Sequence, residues 1–194
     1  MLLGSGAVTD ADLDADEPST NAVVAYNVEA ERTVRACGLA WTILRPSGFH
    51  ANALRWLGQL EKGDVIHGPW ADLAIASIDP ADIAAVAAVA LTTGDLDGRA
   101  LRLTGPKALR PAERVAILAE VLGRPLRFEP QDDDAARAEM LADEVPPAYV
   151  DAFFRFFSNG ETDETTVHPT VRKITGRPPR TFKQWATAHV GAFL

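Results

Sequence analysis

Short apolar segments alternate with helix-forming segments over the first 130 residues of this 194-residue chain, and only helix-forming segments follow. Residues 40–44 are rich in strand-forming side chains and are followed by Pro46, which predicts a strand. Residues 22–36 place apolar side chains on one face, which predicts a helix. Such alternation is typical of an α/β fold. The sequence therefore predicts a mostly parallel sheet with a helical C-terminal lobe.

The same pattern predicts how the chain is divided. Residues 1–130 are expected to form the α/β core and residues 131–194 a helical cap region, the two making one compact unit. Further strands are predicted at 65–67 and 73–78, and the acidic segment 9–21 is predicted to be a solvated loop. A helix is predicted at 52–60, and the cap helices at 132–141, 147–157 and 182–193.

Several helix ends are marked by residues with known capping preferences. Asp79 is an N-cap candidate, and Pro80 follows it at the first helical position. Gly38 and Gly123 are placed to end the helices that precede them. These signals fix the borders of three helices.

Composition and charge exclude several classes of protein. The formal net charge is −8, and no basic stripe is present, which argues against a nucleic-acid partner. No apolar run is long enough to span a bilayer, so no membrane partner is expected. The single cysteine, Cys37, is expected to be buried and fits a reducing, cytoplasmic location. The histidines have no ligand spacing, so no metal site is predicted.

Four stretches of the sequence carry a family signature. They are EAERTVRACGLAWTILRPSGFHANAL, ASIDPADIAAVAAVAL, LRLTGPKALRPAERVAILAEVLGRPLRF and TGRPPRTFKQWATAHVGAF. Together they resemble successive helix, strand and tail segments of the NmrA-like, atypical short-chain dehydrogenase family. The resemblance covers nearly the whole chain.

The resemblance implies a Rossmann-type NAD(P)H-binding fold and NAD(P)H-dependent reduction of a small organic acceptor. The family's G-x-x-G-x-x-G turn does not occur in this sequence, and the segment GSGAV at residues 4–8 fails its spacing and leads into acidic residues. We therefore expect an incomplete Rossmann-like sheet without the first strands of the family fold. We also expect this chain to bind NAD(P)H weakly or not at all.

Ligands of open α/β sheets bind at the carboxyl ends of strands. On that rule, six residues after the first two strands are predicted to contact the nicotinamide side of the cofactor: Ser5, Gly6, Pro46, Ser47, Gly48 and Phe49. Asn52 and Trp56 follow the second strand and are predicted to contact the substrate. Phe49, His50, Asn52 and Trp56 are expected to line one pocket, closed by aromatic residues of the C-terminal helices.

Tyr26 and His50 are the candidate catalytic residues. Short-chain dehydrogenases use Tyr-x-x-x-Lys, in which the lysine lowers the pKa of the phenol, but Ala30 stands four residues after Tyr26. A half-buried structural tyrosine is the alternative. His50 titrates near neutral pH and is a candidate proton shuttle, with a bystander role as the alternative.

Several other residues admit two interpretations. Glu31 is expected to pair with Arg35 four residues later on the helix. Arg45 is either an anion clamp or a loop anchor that donates to backbone carbonyls. The aromatic run FFRFF at residues 153–157 either forms core or presents one face to a ligand or subunit.

The sequence leaves two further classes of function open. One is a cofactor-free small-molecule-binding or regulatory protein, and the other is a non-redox cyclase or isomerase that uses the same pocket. The strand predicted at residues 1–5 would leave backbone N–H and C=O groups unpaired along one edge of the sheet. Such an edge predicts pairing with a second copy in a homodimer or with a complementing chain.

Overall fold

The computed structural model describes residues 1–193 and contains five short strands, all paired in parallel. In chain order the strands are β1 (Leu2–Leu3), β2 (Thr42–Pro46), β3 (Val65–Gly68), β4 (Arg99–Leu103) and β5 (Arg127–Pro130). One sheet has the order β1-β2-β4, and β3 and β5 form the second. The predicted α/β class with a parallel, Rossmann-like sheet is confirmed.

Helices connect and flank these strands. In chain order they are α1 (Asp10–Asp14), α2 (Ala22–Ala36), α3 (Leu57–Leu60), α4 (Pro80–Thr92), α5 (Pro111–Leu122), α6 (Asp133–Ala142), α7 (Pro147–Phe157), α8 (Thr170–Thr175) and α9 (Phe182–Ala188). Two 3-10 segments, His50–Trp56 and Val190–Ala192, complete the secondary structure. No helix within residues 1–193 is long and apolar enough to cross a membrane.

The central strand β2 is buried along its whole length. Ile43 and Leu44 have no exposed surface, as expected for a parallel strand covered on both faces. Leu44 packs with Ile78, Leu103 and Val171, so residues from the sheet, the loop before α4 and α8 share one core.

The predicted helix caps are present. The Asp79 side chain accepts a hydrogen bond from the Ala81 N–H, and Pro80 occupies the first turn of α4. Gly38 and Gly123 have φ angles of 75° and 63°, a left-handed conformation that glycine adopts without strain and that ends α2 and α5.

Two local predictions are wrong. Residues 9–21 are not all loop, because Thr9 and Asp12 form a capping box that starts α1. Residues 73–78 form no strand: Ile75 pairs with Leu109 and Ile78 with Phe49 in isolated bridges. The backbone there bonds to several loops in turn, so no ladder forms.

A buried ion pair joins α2 to β2. Arg45 donates from Nε and Nη2 to the two carboxylate oxygens of Glu31, both at 2.8 Å, and from Nη1 to Asp10 at 3.2 Å. Arg35 also lies 3.6 Å from Glu31, which confirms the expected pair on the helix. Arg45 therefore binds carboxylates of the chain itself, and no hydrogen bond to a backbone carbonyl of the kind expected for a loop anchor is found in residues 1–193.

The C-terminal helices share cores with the preceding part of the chain. Trp185 and Phe182 of α9 pack in one cluster with Val115 and Leu118 of α5. The division into residues 1–130 and 131–194 stays a prediction, and we propose that the two segments fold as one unit because these clusters contain residues of both.

Candidate functional site

The loop that follows β2 is held from several directions. The Ser47 hydroxyl donates to the Ala76 carbonyl at 2.6 Å, and the Ser47 N–H donates to the Leu103 carbonyl at 3.0 Å. The Gly48 N–H donates to a carboxylate oxygen of Glu164 at 3.2 Å, and burial raises the pKa of Glu164. These hydrogen bonds hold the loop after β2 in one position at the carboxyl end of the sheet.

The end of β1 lies against the same loop. The Gly6 N–H donates to the Pro46 carbonyl at 2.8 Å. A Cβ at Gly6 would stand 2.7 Å from that oxygen and from the Arg102 guanidinium, so only glycine fits. The structure thus brings the two predicted nicotinamide-contacting segments together at one sheet end. Their cofactor role stays a prediction.

The residues described here do not fit the pyrophosphate of a dinucleotide. The turn after β1 leads into α1, whose first turn carries Asp10 and Asp12, and carboxylates at that position repel phosphate. A role at the nicotinamide side of a cofactor site stays a prediction for the residues after β1 and β2.

A cavity of about 770 Å³ lies between the loop after β2, the 3-10 segment, the β3–β5 sheet and helices α6 and α7. Gly48 contributes to its wall from the carboxyl end of β2. Its aromatic lining comprises Trp56, Trp70, Phe128, Tyr149, Phe153 and Phe157. Its charged lining comprises Arg55, Arg114, Glu139 and Asp143.

The structure places two of the four residues predicted for the pocket on this cavity. Asn52 and Trp56 line the cavity, and Phe153 and Phe157 contribute from the C-terminal helices. Phe49 and His50 are not among its lining residues, because the Phe49 side chain packs against the sheet core and His50, the first residue of the 3-10 segment, is buried against Phe182 of α9. In the run FFRFF, Phe154 and Phe156 are core residues, and contact of its other face with a ligand or subunit stays a prediction.

His50 is a buried, neutral residue. Its Nδ1 lies 2.9 Å from the Ser77 hydroxyl and its Nε2 lies 3.4 Å from the Arg180 carbonyl. Burial lowers its pKa to about 4. A ring with only 1% exposure cannot exchange protons with a bound substrate directly. The geometry favours a positioning role for His50 between the 3-10 segment and α9.

Tyr26 lies on the solvent face of α2, and 65% of its surface is exposed. The buried face of that helix presents Val24, Val28 and Glu31 instead. The Tyr26 side chain is therefore more exposed than expected for the half-buried structural tyrosine given as its alternative role. It does not line the cavity. Its catalytic role stays a prediction. Cys37, expected to be buried, is exposed at the end of α2.

One functional candidate, Arg114, escaped the sequence analysis, whereas Trp70 was expected among the aromatic residues of an apolar pocket. Arg114 lies on the buried, apolar face of α5, beside Val115 and one turn before Leu118. A charged residue on the apolar face of a predicted helix is unusual, and this pattern in the sequence could have identified it. Trp70 has a φ of 56°, which is strained for a bulky side chain. Packing against Phe154 and Phe157 holds it at the cavity wall.

No group of three or more metal-ligating side chains occurs among the described residues.

No protein-family model matches the sequence. A curated relative from Streptomyces griseus, "(4-alkanoyl-5-oxo-2,5-dihydrofuran-3-yl)methyl phosphate reductase", is 41% identical over 85% of this chain and 58% of its own length. The NAD(P)H azoreductase of Xenophilus azovorans is 35% identical over the same shares. The chain thus spans less than two thirds of the curated relatives it matches.

Solved structures confirm the fold. The NADPH-dependent quinone oxidoreductase QOR2 of Escherichia coli, complexed with NADPH, matches with a TM-score of 0.74 and 22% identity over 92% of this chain and 62% of that one. NmrA, a negative transcriptional regulator in complex with NAD, matches with a TM-score of 0.64 and 17% identity over 97% and 63%.

The parallel sheet and the cavity at its carboxyl end define a Rossmann-like fold of the NAD(P)-binding reductase type. Sequence relatives and fold neighbours agree with the motifs read from the sequence. In sequence the chain is similar to NAD(P)H-dependent reductases, and its fold is that of the NmrA-like, Rossmann-type structures it matches.

Proposed function

We propose that this chain provides the acceptor site of an NAD(P)H-dependent reductase and that the 770 Å³ cavity binds a small organic acceptor. The observation that carries the proposal is the position of this cavity. Gly48, from the loop at the carboxyl end of β2, forms part of its wall. That loop is where open α/β sheets bind their ligands.

The lining indicates the class of acceptor. Six aromatic side chains and few charges suit a flat, largely apolar molecule, and the volume lies within the range of about 300–1,000 Å³ that small-molecule sites occupy. The names of the relatives agree, since they describe reductases of a butenolide phosphate, azo compounds and quinones. A conjugated carbonyl or azo compound is the expected acceptor.

Each part of the site has a separate task. Ser5, Gly6, Pro46, Ser47, Gly48 and Phe49 are proposed to meet the nicotinamide side of the cofactor. Asn52 and Trp56 orient the acceptor, and the aromatic wall excludes water. A bound NAD(P)H would supply a hydride to the acceptor, and neither Tyr26 nor His50 lines the cavity.

A cofactor-free binding or regulatory protein is the second candidate function. The acidic residues Asp10 and Asp12 at the turn after β1 favour it, because they oppose a pyrophosphate there. On this alternative the cavity still binds a small molecule, but no hydride transfer follows.

We also infer a partner for the open edge of the larger sheet. In residues 1–193, β1 pairs with β2 on one side only, and 53% of Leu3 is exposed. A second copy or a complementing polypeptide would satisfy this edge. A cytoplasmic location remains part of the proposal, since the exposed thiol of Cys37 suits a reducing compartment.

Filling the cavity is expected to abolish acceptor binding. Leu73 lines the cavity and belongs to no buried hydrophobic cluster in the described chain, so Leu73→Trp should occupy space without removing core. We expect the affinity for menadione, a neutral bicyclic quinone, to fall at least about tenfold in isothermal titration calorimetry.

The matched control is Leu91→Trp, which makes the same change at a side chain of α4 that is 68% exposed and lies outside the cavity. This variant is expected to bind menadione as the wild type does. Equal affinity of Leu73→Trp and the wild type would place the acceptor elsewhere.

A further inference from the structure

Arg114 is a buried arginine in the wall of the cavity. It lies in the first turns of α5, only 9% of the residue is exposed, and it belongs to the cavity lining. Burial lowers the pKa of its guanidinium to about 10, so the group still carries a positive charge at neutral pH. A buried charge is costly unless a partner compensates for it.

The N–H groups of Arg114 lack such a partner. Its Nε and Nη2 atoms are buried without any hydrogen-bond acceptor. Among residues 1–193, no carboxylate lies within ion-pair distance of this guanidinium, although other arginines make such pairs. The two acids of the cavity wall, Glu139 and Asp143, are not its partners, and Glu139 accepts a hydrogen bond from Gln131.

Aromatic contacts do not replace the missing acceptors. The guanidinium carbon lies 5.2 Å from the ring centre of Trp56 and 5.0 Å from that of Phe182. Cation–π contacts use the faces of the guanidinium, whereas its N–H groups point outward within its plane. The guanidinium thus contacts two rings, while its Nε and Nη2 N–H groups have no acceptor.

We propose that Arg114 is the anion-binding residue of the cavity and that the acceptor carries a carboxylate, phosphate or sulfonate on a flat apolar body. The planar fork of N–H groups matches the oxygen pairs of such anions. The aromatic wall takes the rest of the molecule. This assignment rests on the proposed function in treating the cavity as the acceptor site.

Two fluorescent probes that differ by one anionic group test the assignment. 1-Anilinonaphthalene-8-sulfonate carries a sulfonate, and N-phenyl-1-naphthylamine is the same ring system without it. Arg114→Met keeps the length and apolar character of the side chain but removes the charge. We expect it to weaken binding of the sulfonate at least about tenfold and to leave binding of the neutral probe unchanged.

Two further variants complete the design. Arg99→Met removes an exposed arginine of β4 outside the cavity and is expected to change neither affinity. Arg114→Lys keeps the charge without the planar fork, so its affinity for the sulfonate should lie between those of the wild type and Arg114→Met. Circular dichroism checks the fold of each variant, and if Arg114→Met does not fold, Arg114→Lys decides.

The assignment is overturned if the folded Arg114 variants bind the sulfonate as tightly as the wild type, or if both probes lose affinity equally. Failure of the proposed function gives a different result. If the neutral probe is not displaced by menadione, the cavity is not the acceptor site, whatever the sulfonate shows. Because no dinucleotide is used, cofactor affinity does not affect either outcome.

Discussion

Replacing Glu31 with glutamine is expected to lower the free energy of unfolding by about 3 kcal/mol, since breaking a buried ion pair leaves an uncompensated charge. Glu31 has no exposed surface and Arg45 is 6% exposed. The amide of glutamine keeps the shape of the side chain but can accept only one of the two 2.8 Å hydrogen bonds. Asp10, at 3.2 Å, is exposed to water and compensates poorly.

Urea unfolding measures this change, and Glu29→Gln is the matched control on the exposed face of the same helix. The control is expected to stay within about 0.5 kcal/mol of the wild type. Replacing Arg45 with methionine in the Glu31→Gln background should restore part of the loss, because no buried charge then remains. A Glu31→Gln variant as stable as the control would show that this pair contributes nothing.

Acidification is expected to destabilise the wild type through His50 by about 3 kcal/mol between pH 7 and pH 4. Burial lowers the pKa of His50 from 6.5 to about 4 in the folded protein. As the pH falls below 6.5, the unfolded chain therefore binds a proton that the folded chain does not. This contribution to stability is fully present above pH 6.5 and is lost as the pH falls toward 4.

The variant His50→Gln isolates the effect, because glutamine can still bond to Ser77 but does not titrate. Burial raises the pKa values of Asp82 and Glu164, which contribute with the opposite sign in both proteins. The difference between wild type and variant thus reports His50 alone, measured by urea unfolding at several pH values. Parallel pH profiles would contradict the buried, neutral state of His50.

Local sequence signals predicted those elements whose causes are local. α2 and α7 occupy the predicted residues 22–36 and 147–157, because capping groups and apolar stripes act within one helix. Gly123 ends α5 for the same kind of reason. The parallel sheet followed from the alternation of elements, which topology restricts to few arrangements.

Features that depend on distant partners were missed. Residues 73–78 read as a strand, but their backbone groups bond to Leu109, Gly48 and Glu164, which the segment itself does not encode. Arg45 finds its acceptors on α1 and α2. The lack of acceptors around the Arg114 guanidinium depends on packing between α5, α9 and the 3-10 segment His50–Trp56. The sequence analysis therefore identified the loop after β2 as part of the candidate site, but it did not identify Arg114 in the cavity wall.

The central claim is that the cavity beside the β2 loop binds the acceptor, and the four tryptophans of the chain report on it separately. Trp56 and Trp70 line the cavity, whereas Trp41 stacks with Arg35 at the opposite end of β2 and Trp185 is buried in the core. Each indole N–H gives one resonance in a ¹⁵N-correlated NMR spectrum, assigned with single Trp→Phe variants. On titration with menadione we expect the resonances of Trp56 and Trp70 to move and that of Trp41 to stay in place. Binding that moves Trp41 and leaves Trp56 and Trp70 unchanged would contradict the account.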